Sequence, residues 1–490
     1  MRLRYHKKEL NRVYNSILRH AEMSFSQHDV EGALCRVQLA AELQYIVNEI
    51  FLDERLEHLL SLISEEIVGK KKDYKGKEGT VLFYDHYGLD NRGLTQQYLD
   101  ALYQIDGISV VYVLENTANQ KCVNTLRLVE EHGSKYYELG NGSYNEKILK
   151  FCKIIEEESP SDVFLHVSPS SPIPFTSLSA FSTVRKILIN ITDHAFGLGG
   201  GGFYDYSFEF REFGAKLSLE KRAFELRQIQ LLPYYPWQED VPFQGFPVHT
   251  DGMVVLFSGS YLYKIDDQEN TFFNIIADIL KANPNTVMFF AGGGDDGKIR
   301  GLIEKAYLEN RFFLLGNRTD ISSLFKHIDI YIGTYPLGGG LMTQFAALNG
   351  KPILAYRTHE IEEIVCNKHY KQFVFDNKDE LLAEANHLIR DKEYREEQGI
   401  EFGNLSASQS DFRERFKELY AHLPGLQSVP SIDIDYNNHT QRHINNLNSR
   451  NNFRIEREIM TTCFPAISWK MIANVILNVN ILTRLFNVKR

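Results

Sequence analysis

The chain has 490 residues, 43% of them hydrophobic, and a formal net charge of −10 at pH 7 with a pI near 5.9. That length suggests two or three domains with real cores, and the acidic balance excludes the basic footprint of a nucleic-acid binder. Five widely spaced cysteines without a C-x-x-C pair indicate neither a disulfide framework nor a zinc site. No metal is therefore expected, and the setting reads as reduced and cytoplasmic. The charged start MRLRYHKKEL lacks the apolar run of a signal peptide, and no stretch of about 18 apolar residues predicts a membrane span.

Residues 1–68 contain no proline and repeat apolar positions at helical spacing, as in Leu34, Val37, Ala41, Leu43, Ile46, Val47 and Ile50. This predicts a helical hairpin or small bundle, with Asp29 as an N-cap. Such a bundle fits either a packed extension or a face for a protein partner. The charged, glycine-bounded run 69–79 reads as a linker. From Thr80 the period changes. Short apolar runs at 81–85, 108–114, 135–139, 162–168 and 184–192 alternate with helical segments, the pattern of βαβ units in a parallel sheet. They define a Rossmann-like domain over 79–235, within which 193–218 is loop-rich and aromatic.

The proline- and glycine-rich run 236–252 reads as an interdomain linker. A second Rossmann-like domain follows over 253–405, and a C-terminal helix over 406–424. Residues 425–490 read as a flexible asparagine-rich linker and an amphipathic tail. The tail, 464–490, predicts either peripheral contact with the inner face of a membrane or a docked helix. The expected fold class is thus α/β, two Rossmann-like domains facing a cleft, with an N-terminal helical extension.

Ligands of open parallel sheets bind beyond the carboxyl ends of the strands. Two glycine loops, 292–294 and 338–340, fall at such ends. The second leads into an apolar helix, so its backbone N–H groups and the positive helix end form a ready anion site. A ligand-free strand–helix turn fits equally well.

The rest of the second half resembles something specific. The run Tyr261-Leu262-Tyr263-Lys264-Ile265-Asp266, then ILKANPNTVMFFAGGG, then RFFLLGNRTDISSLFKHIDIYIGTYPLGGGLMTQFAALNGKPI, is similar to the nucleotide-sugar half of the O-linked N-acetylglucosamine transferases and related GT-B glycosyltransferases. The resemblance covers roughly 254–360 well and 80–235 loosely. It implies the GT-B fold, a nucleotide-sugar donor such as a UDP-sugar, and no cofactor. It implies that Lys264 lies beside the donor diphosphate, that Asn317, Arg318 and Thr319 approach the base, and that Gly339, Gly340, Leu341 and Met342 offer N–H groups to phosphate. Phe345 stands where the family carries an acid for the ribose, so that contact falls to Thr343, Gln344 or Glu360. Leu337 and Phe345 stand where a retaining Glu-x7-Glu pair would be, which favours inversion.

An inverting transfer calls for a base. His194, beside the glycine run 197–202, and His86 are the candidates, with Asp193 or Asp85 orienting the imidazole. Glu209 and Arg211 read either as cleft-lining groups or as paired charges. The acceptor would be a glycan, a lipid-linked glycan or a protein. Two other readings remain: a non-catalytic GT-B-like partner that stabilises an active transferase, and a nucleotide-sugar epimerase. A dehydrogenase is disfavoured, because no strand is followed by G-x-G-x-x-G with an acid about 20 residues on.

Overall fold

The computed structural model describes residues 3–69, 71–72, 74–90, 94–119, 121–233, 235–238, 241–358, 373–449, 453–463 and 468–478. The chain divides into two compact units. The first comprises Met1–Gly88, Leu102–Leu231 and Leu419–Arg490, the second Leu89–Ala101 and Leu232–Glu418.

The first unit opens with helices α1 (Lys7–Ser26), α2 (Val30–Val47) and α3 (Glu54–Val68). Asp29 caps α2 by accepting from the Gly32 N–H at 2.9 Å, and Asp53 caps α3 from Arg55 at 2.8 Å. Leu10, Val13 and Ile17 of α1 and Leu34, Val37 and Ala40 of α2 are buried in the same apolar core as the sheet. The extension is therefore packed against the unit it precedes.

The first sheet contains β1 (Lys77–Asp85), β2 (Ser109–Leu114), β3 (Lys135–Glu138), β4 (Pro160–His166), β5 (Arg185–Ile189), β6 (Tyr206–Glu209) and β7 (Ile229–Leu231). Between them lie α4 (Leu94–Tyr103), α5 (Val123–Glu131), α6 (Tyr144–Glu158), α7 (Pro172–Leu178) and α8 (Glu212–Lys221). The order is β3-β2-β1-β4-β5-β6-β7, with every pair parallel. Strands such as VLFYD and VFLH are apolar almost throughout because helices cover both faces of a parallel sheet. The stretch expected to be loop-rich after 193 holds both β6 and α8.

The second sheet contains β8 (Val254–Gly259), β9 (Thr286–Ala291), β10 (Phe312–Gly316), β11 (Ile330–Ile332), β12 (Ile353–Tyr356) and β13 (Val374–Phe375), in the order β10-β9-β8-β11-β12-β13, again all parallel. Its helices are α9 (Thr271–Ala282), α10 (Gly297–Lys305), α11 (Ile321–Leu324), α12 (Gly340–Leu348), α13 (Lys378–Arg390), α14 (Lys392–Leu405) and α15 (Gln409–His422). Most of α4 groups with this unit although β1 and β2 flank it in sequence. Arg413 of α15 donates to both carboxylate oxygens of Asp100 at 2.5 and 2.6 Å, and Tyr98 meets Phe412 and Phe416 edge-on.

The C-terminal segment corrects the expectation of a flexible linker. It forms α16 (Tyr436–Ser449), α17 (Arg454–Cys463) and α18 (Trp469–Asn478). His439, Thr440, His443, Ile444, Asn446 and Leu447 of α16 are buried. The Thr440 hydroxyl donates to the Asn48 carbonyl at the end of α2, at 2.7 Å. Asn474 of α18 exchanges bonds of 2.6 and 2.9 Å with the Leu3 backbone, and Lys470 pairs with Glu9 at 2.9 Å. The polar composition misled because these side chains are buried with partners. Among the described residues no helix is long and apolar enough to cross a membrane.

Candidate active site

Four separate pieces of the second unit meet at the carboxyl ends of β8 to β11. After β8 the chain makes a 3-10 turn, Leu262–Ile265. The Leu262 N–H donates to the Gly293 carbonyl at 2.9 Å, which ties this turn to the first glycine loop. The Leu337 N–H donates to the Lys264 carbonyl at 3.2 Å, and the Lys264 ammonium donates to the Gly338 carbonyl at 2.8 Å. The same turn is thus tied to the second glycine loop. Gly292 has φ +155°, and a Cβ there would stand 1.6 Å from the Ser260 carbonyl oxygen, so only glycine fits. Asn317 closes the fourth side, since a Cβ on Gly293 would lie 2.9 Å from its amide oxygen.

Helix α12 starts from this junction. Its cap, Gly339, makes no side-chain bond to the first turn. The N–H groups of Gly340, Leu341 and Met342 have no acceptor within the helix, as at any helix start. Thr343 is buried and donates its hydroxyl to the Gly339 carbonyl at 3.1 Å, which makes it part of the helix start. Phe345 is 2% exposed and stacks on Phe325 at 5.7 Å. The core demands an apolar ring at that position.

Two of the residues expected at the base are otherwise engaged. Arg318 donates to both oxygens of Asp320 at 2.7 and 2.6 Å and to the Gly245 carbonyl at 2.9 Å. Thr319 accepts from the Gln244 amide at 2.8 Å. Together they fasten the 241–246 segment to the loop before α11. Burial opposes the charge on Asp320, yet the Arg318 guanidinium and the Gln244 N–H hold its carboxyl below the usual range. Asn317 alone of the three sits with the glycine loops. Glu360 lies outside the described residues.

In the first unit, two buried carboxylates sit at the carboxyl ends of neighbouring strands. Asp85 ends β1 and accepts from the His166 imidazole at 2.9 Å, Tyr112 at 2.8 Å and the Tyr87 N–H at 2.9 Å. Burial works against its charge, but His166 and these donors hold its pKa down at about 2. Glu115, the first residue past β2, accepts from His86 Nδ1 at 2.7 Å, Tyr84 at 2.7 Å and Ser171 at 3.0 Å. Burial opposes its charge too, and His86 outweighs that, so its carboxyl is lowered. For His86 burial opposes protonation and the Glu115 carboxylate more than compensates, raising the imidazole. The His86 side chain is 25% exposed and that of Glu115 6%, so the imidazole is the more accessible member of the pair. His86 Nδ1 is committed to Glu115. Asp85 holds His166, while the carboxylate that holds the His86 imidazole is Glu115. Its sequence signal was modest: an acid immediately after an apolar strand.

His194 and Asp193 are built differently. Asp193 is buried and accepts two bonds from Arg211, at 2.5 and 2.8 Å. Burial opposes its charge, while Arg211 lowers its pKa. His194 Nδ1 stands 3.7 Å from Asp193, and the His194 ring lies 6.1 Å from Tyr45 of α2 and 6.0 Å from His443 of α16. Its carbonyl accepts from His439 at 2.9 Å. The glycine run beside it is packed backbone: Cβ atoms on Gly200 and Gly201 would stand 2.4 and 2.0 Å from the carbonyl oxygens of Arg222 and Ala223. Glu209 is fully buried and bonded to Asn190, Ser207 and Ser218 at 2.7–2.9 Å. This end of the sheet is a structural junction with α2 and α16. Among the described residues no group of His, Cys, Asp and Glu could hold a metal ion.

Two parallel-sheet units, with glycine loops and a helix start at the strand ends, define the GT-B class of fold. Residues 248–401 match the model of the family described as Glycosyl transferases group 1. Among solved structures, HepE of Anabaena, crystallised with UDP and glucose, is similar with a TM-score of 0.52 at 14% identity, over 71% of this chain and 99% of its own. An O-GlcNAc transferase variant of Thermobaculum terrenum gives 0.54 at 13%, over 89% and 85%. A variant of TarM of S. aureus, in complex with fondaparinux, alpha-GlcNAc-glycerol and UDP, gives 0.54 at 10%, over 70% and 99%. No curated protein matches the sequence.

Proposed function

We propose that the protein is a nucleotide-sugar-dependent glycosyltransferase. The observation that carries this reading is the convergence of Lys264, Asn317, both glycine loops and the start of α12 on one point of the second unit. The family match over the same residues, and the UDP in the HepE and TarM structures, support a UDP-linked hexose or N-acetylhexosamine as donor. Lys264 and the N–H groups of Gly339 to Met342 would take up the charge that develops on the leaving diphosphate. His86 Nε2 would accept the acceptor hydroxyl proton as the oxygen bonds to the anomeric carbon and the bond to the diphosphate breaks. Leu337 and Phe345, in place of a carboxylate pair, favour inversion. A glycan, lipid-linked glycan or protein acceptor fits this chemistry.

A second reading, a non-catalytic GT-B-like partner of an active transferase, draws on Arg318 and Thr319, which serve structure where a base contact was expected, and on Phe345, a core ring in place of the family's ribose acid. A thermal-shift panel of UDP-, GDP-, CMP- and dTDP-sugars separates the two. The transferase reading expects a concentration-dependent rise with one class of donor, and donor consumption that His86→Ala abolishes. A flat response to every donor would overturn it. Donor turnover without an acceptor would point to an epimerase. We place the enzyme in the cytoplasm. Trp469 and Ile476 of α18, 66% and 50% exposed, offer a contact for the inner membrane face.

A further inference from the structure

A cavity of the first unit lies away from the strand ends that carry His86 and Glu115. It measures about 960 Å³ and opens at the amino ends of β5 and β6, with helix α3 forming its other wall. That volume is at the upper end for small-molecule pockets. The wall from α3 belongs to the N-terminal extension, so the cavity exists only because the extension is packed on the sheet.

The lining specifies a ligand class. Phe203 and Tyr206 are half-buried aromatic rings on this wall, and Phe203 is stiffened by stacking on Phe175 at 4.2 Å. Apolar ring faces of this kind pack against the C–H faces of sugars. Three cations of the lining have carboxylate partners: Arg185 pairs with Asp162, Lys186 with Asp205 at 3.6 Å, and Arg227 with Glu225 at 2.5 Å, while the exposed Lys71 shares the lining with the carboxylates of Glu57 and Glu65. Cations balanced by carboxylates leave little excess field for a phosphate or a polyanion. They do present donors and acceptors side by side, which suits hydroxyl groups that both give and accept hydrogen bonds. Asp205 and Arg185 keep 46% and 41% of their side chains exposed for this purpose.

We propose that this cavity is a carbohydrate-binding subsite, separate from the transfer centre, that takes an uncharged oligosaccharide stretch. Its use in holding a part of the acceptor remote from the reacting end rests on the glycosyltransferase reading. The site lies a strand length, about 15–20 Å, from the carboxyl ends, so it recognises a polymer without touching the reacting sugar.

Ligand-observed saturation-transfer NMR on the full chain tests it, with chitohexaose, maltohexaose, laminarihexaose and xylohexaose as probes, and a heparin-derived hexasaccharide as the anionic control. UDP binding is measured in parallel on the same samples. At least one neutral probe should bind, and Tyr206→Ala and Phe203→Ala should each weaken it about tenfold with UDP binding unchanged. Tyr206→Ala keeps the test alive if loss of the Phe203 ring unfolds the loop. Three results would overturn the inference: no neutral probe binds while UDP does, binding is insensitive to both variants, or the anionic control binds better than every neutral probe. Oligosaccharide binding that these variants weaken, in a protein that ignores UDP and every nucleotide sugar, would uphold the subsite and remove the donor reading.

Discussion

His86 Nδ1 stands 2.7 Å from a carboxylate oxygen of Glu115, and the same carboxylate accepts from Tyr84 and Ser171. Two hydroxyls thus fix the acid that fixes the imidazole. Glu115→Gln keeps the shape and removes the charge. We expect kcat to fall by about 10²–10³, within the range of general-base contributions, with KM little changed. The sign of the pH effect follows from the pair. Glu115 raises the His86 pKa, and a base works only when neutral, so the variant's acidic limb of kcat/KM should move to lower pH. An unshifted limb would remove His86 from the mechanism.

The Lys264 ammonium rests 2.8 Å from the Gly338 carbonyl. We expect Lys264→Ala to weaken UDP binding about 10–100-fold, the loss of one charge-assisted contact, with circular dichroism unchanged. Calorimetric titration with UDP measures it. Arg318→Ala should instead lower stability, because its guanidinium ties Asp320 and Gly245 together. A variant of Arg318 that stays fully stable but loses UDP would restore it to the base site.

Much of the architecture was readable, and the reason is chemical. Parallel strands covered on both faces must be apolar, so β1, β2, β4, β8 and β9 stand out as runs. The glycine loops stand out because close approaches such as Gly292 to Ser260 admit no side chain. Burial among polar partners was not readable. Glu115 and Asp193 are both acids near strand ends, and nothing local says that one meets an imidazole and the other an arginine. Helix α16 was hidden for the same cause. Its buried face is made of histidine, threonine and asparagine as much as of Ile444 and Leu447, and a pattern search weighs only the last two.

Glu57 of α3 has a buried carboxylate oxygen with no hydrogen-bond partner among the described residues. Burial pushes its pKa up to about 7, against the pull of Arg222 and the Gly199 N–H. The folded state therefore favours the protonated acid. Its contribution is complete below the unfolded value of 4.5 and is lost as pH rises through about 7. Glu57→Gln should raise stability at pH 8 by about 1–3 kcal/mol and change little at pH 4. Urea denaturation at the two pH values checks this, and an equal effect at both would show that Glu57 does not titrate in this range.

Removal of the chain from Tyr436 onward uncovers the faces of α1 and α2 that α16 and α17 bury. We expect a lower melting temperature and exposed apolar surface, seen as dye binding, in the truncated protein. A melting curve that matches the full chain would mean that α16 adds nothing to the core.

The first unit is discontinuous in sequence: Leu232–Glu418 is inserted into it, and its last segment begins only at Leu419. On the ribosome the second unit is therefore finished first. At about 5–20 residues per second, the nascent first unit waits roughly 10–40 s for its closing helices. During that interval the surfaces of α1 and α2 are open to chaperones or to other chains. The helices that follow Leu419 thus reach the first unit only after the whole of Leu232–Glu418 has been made.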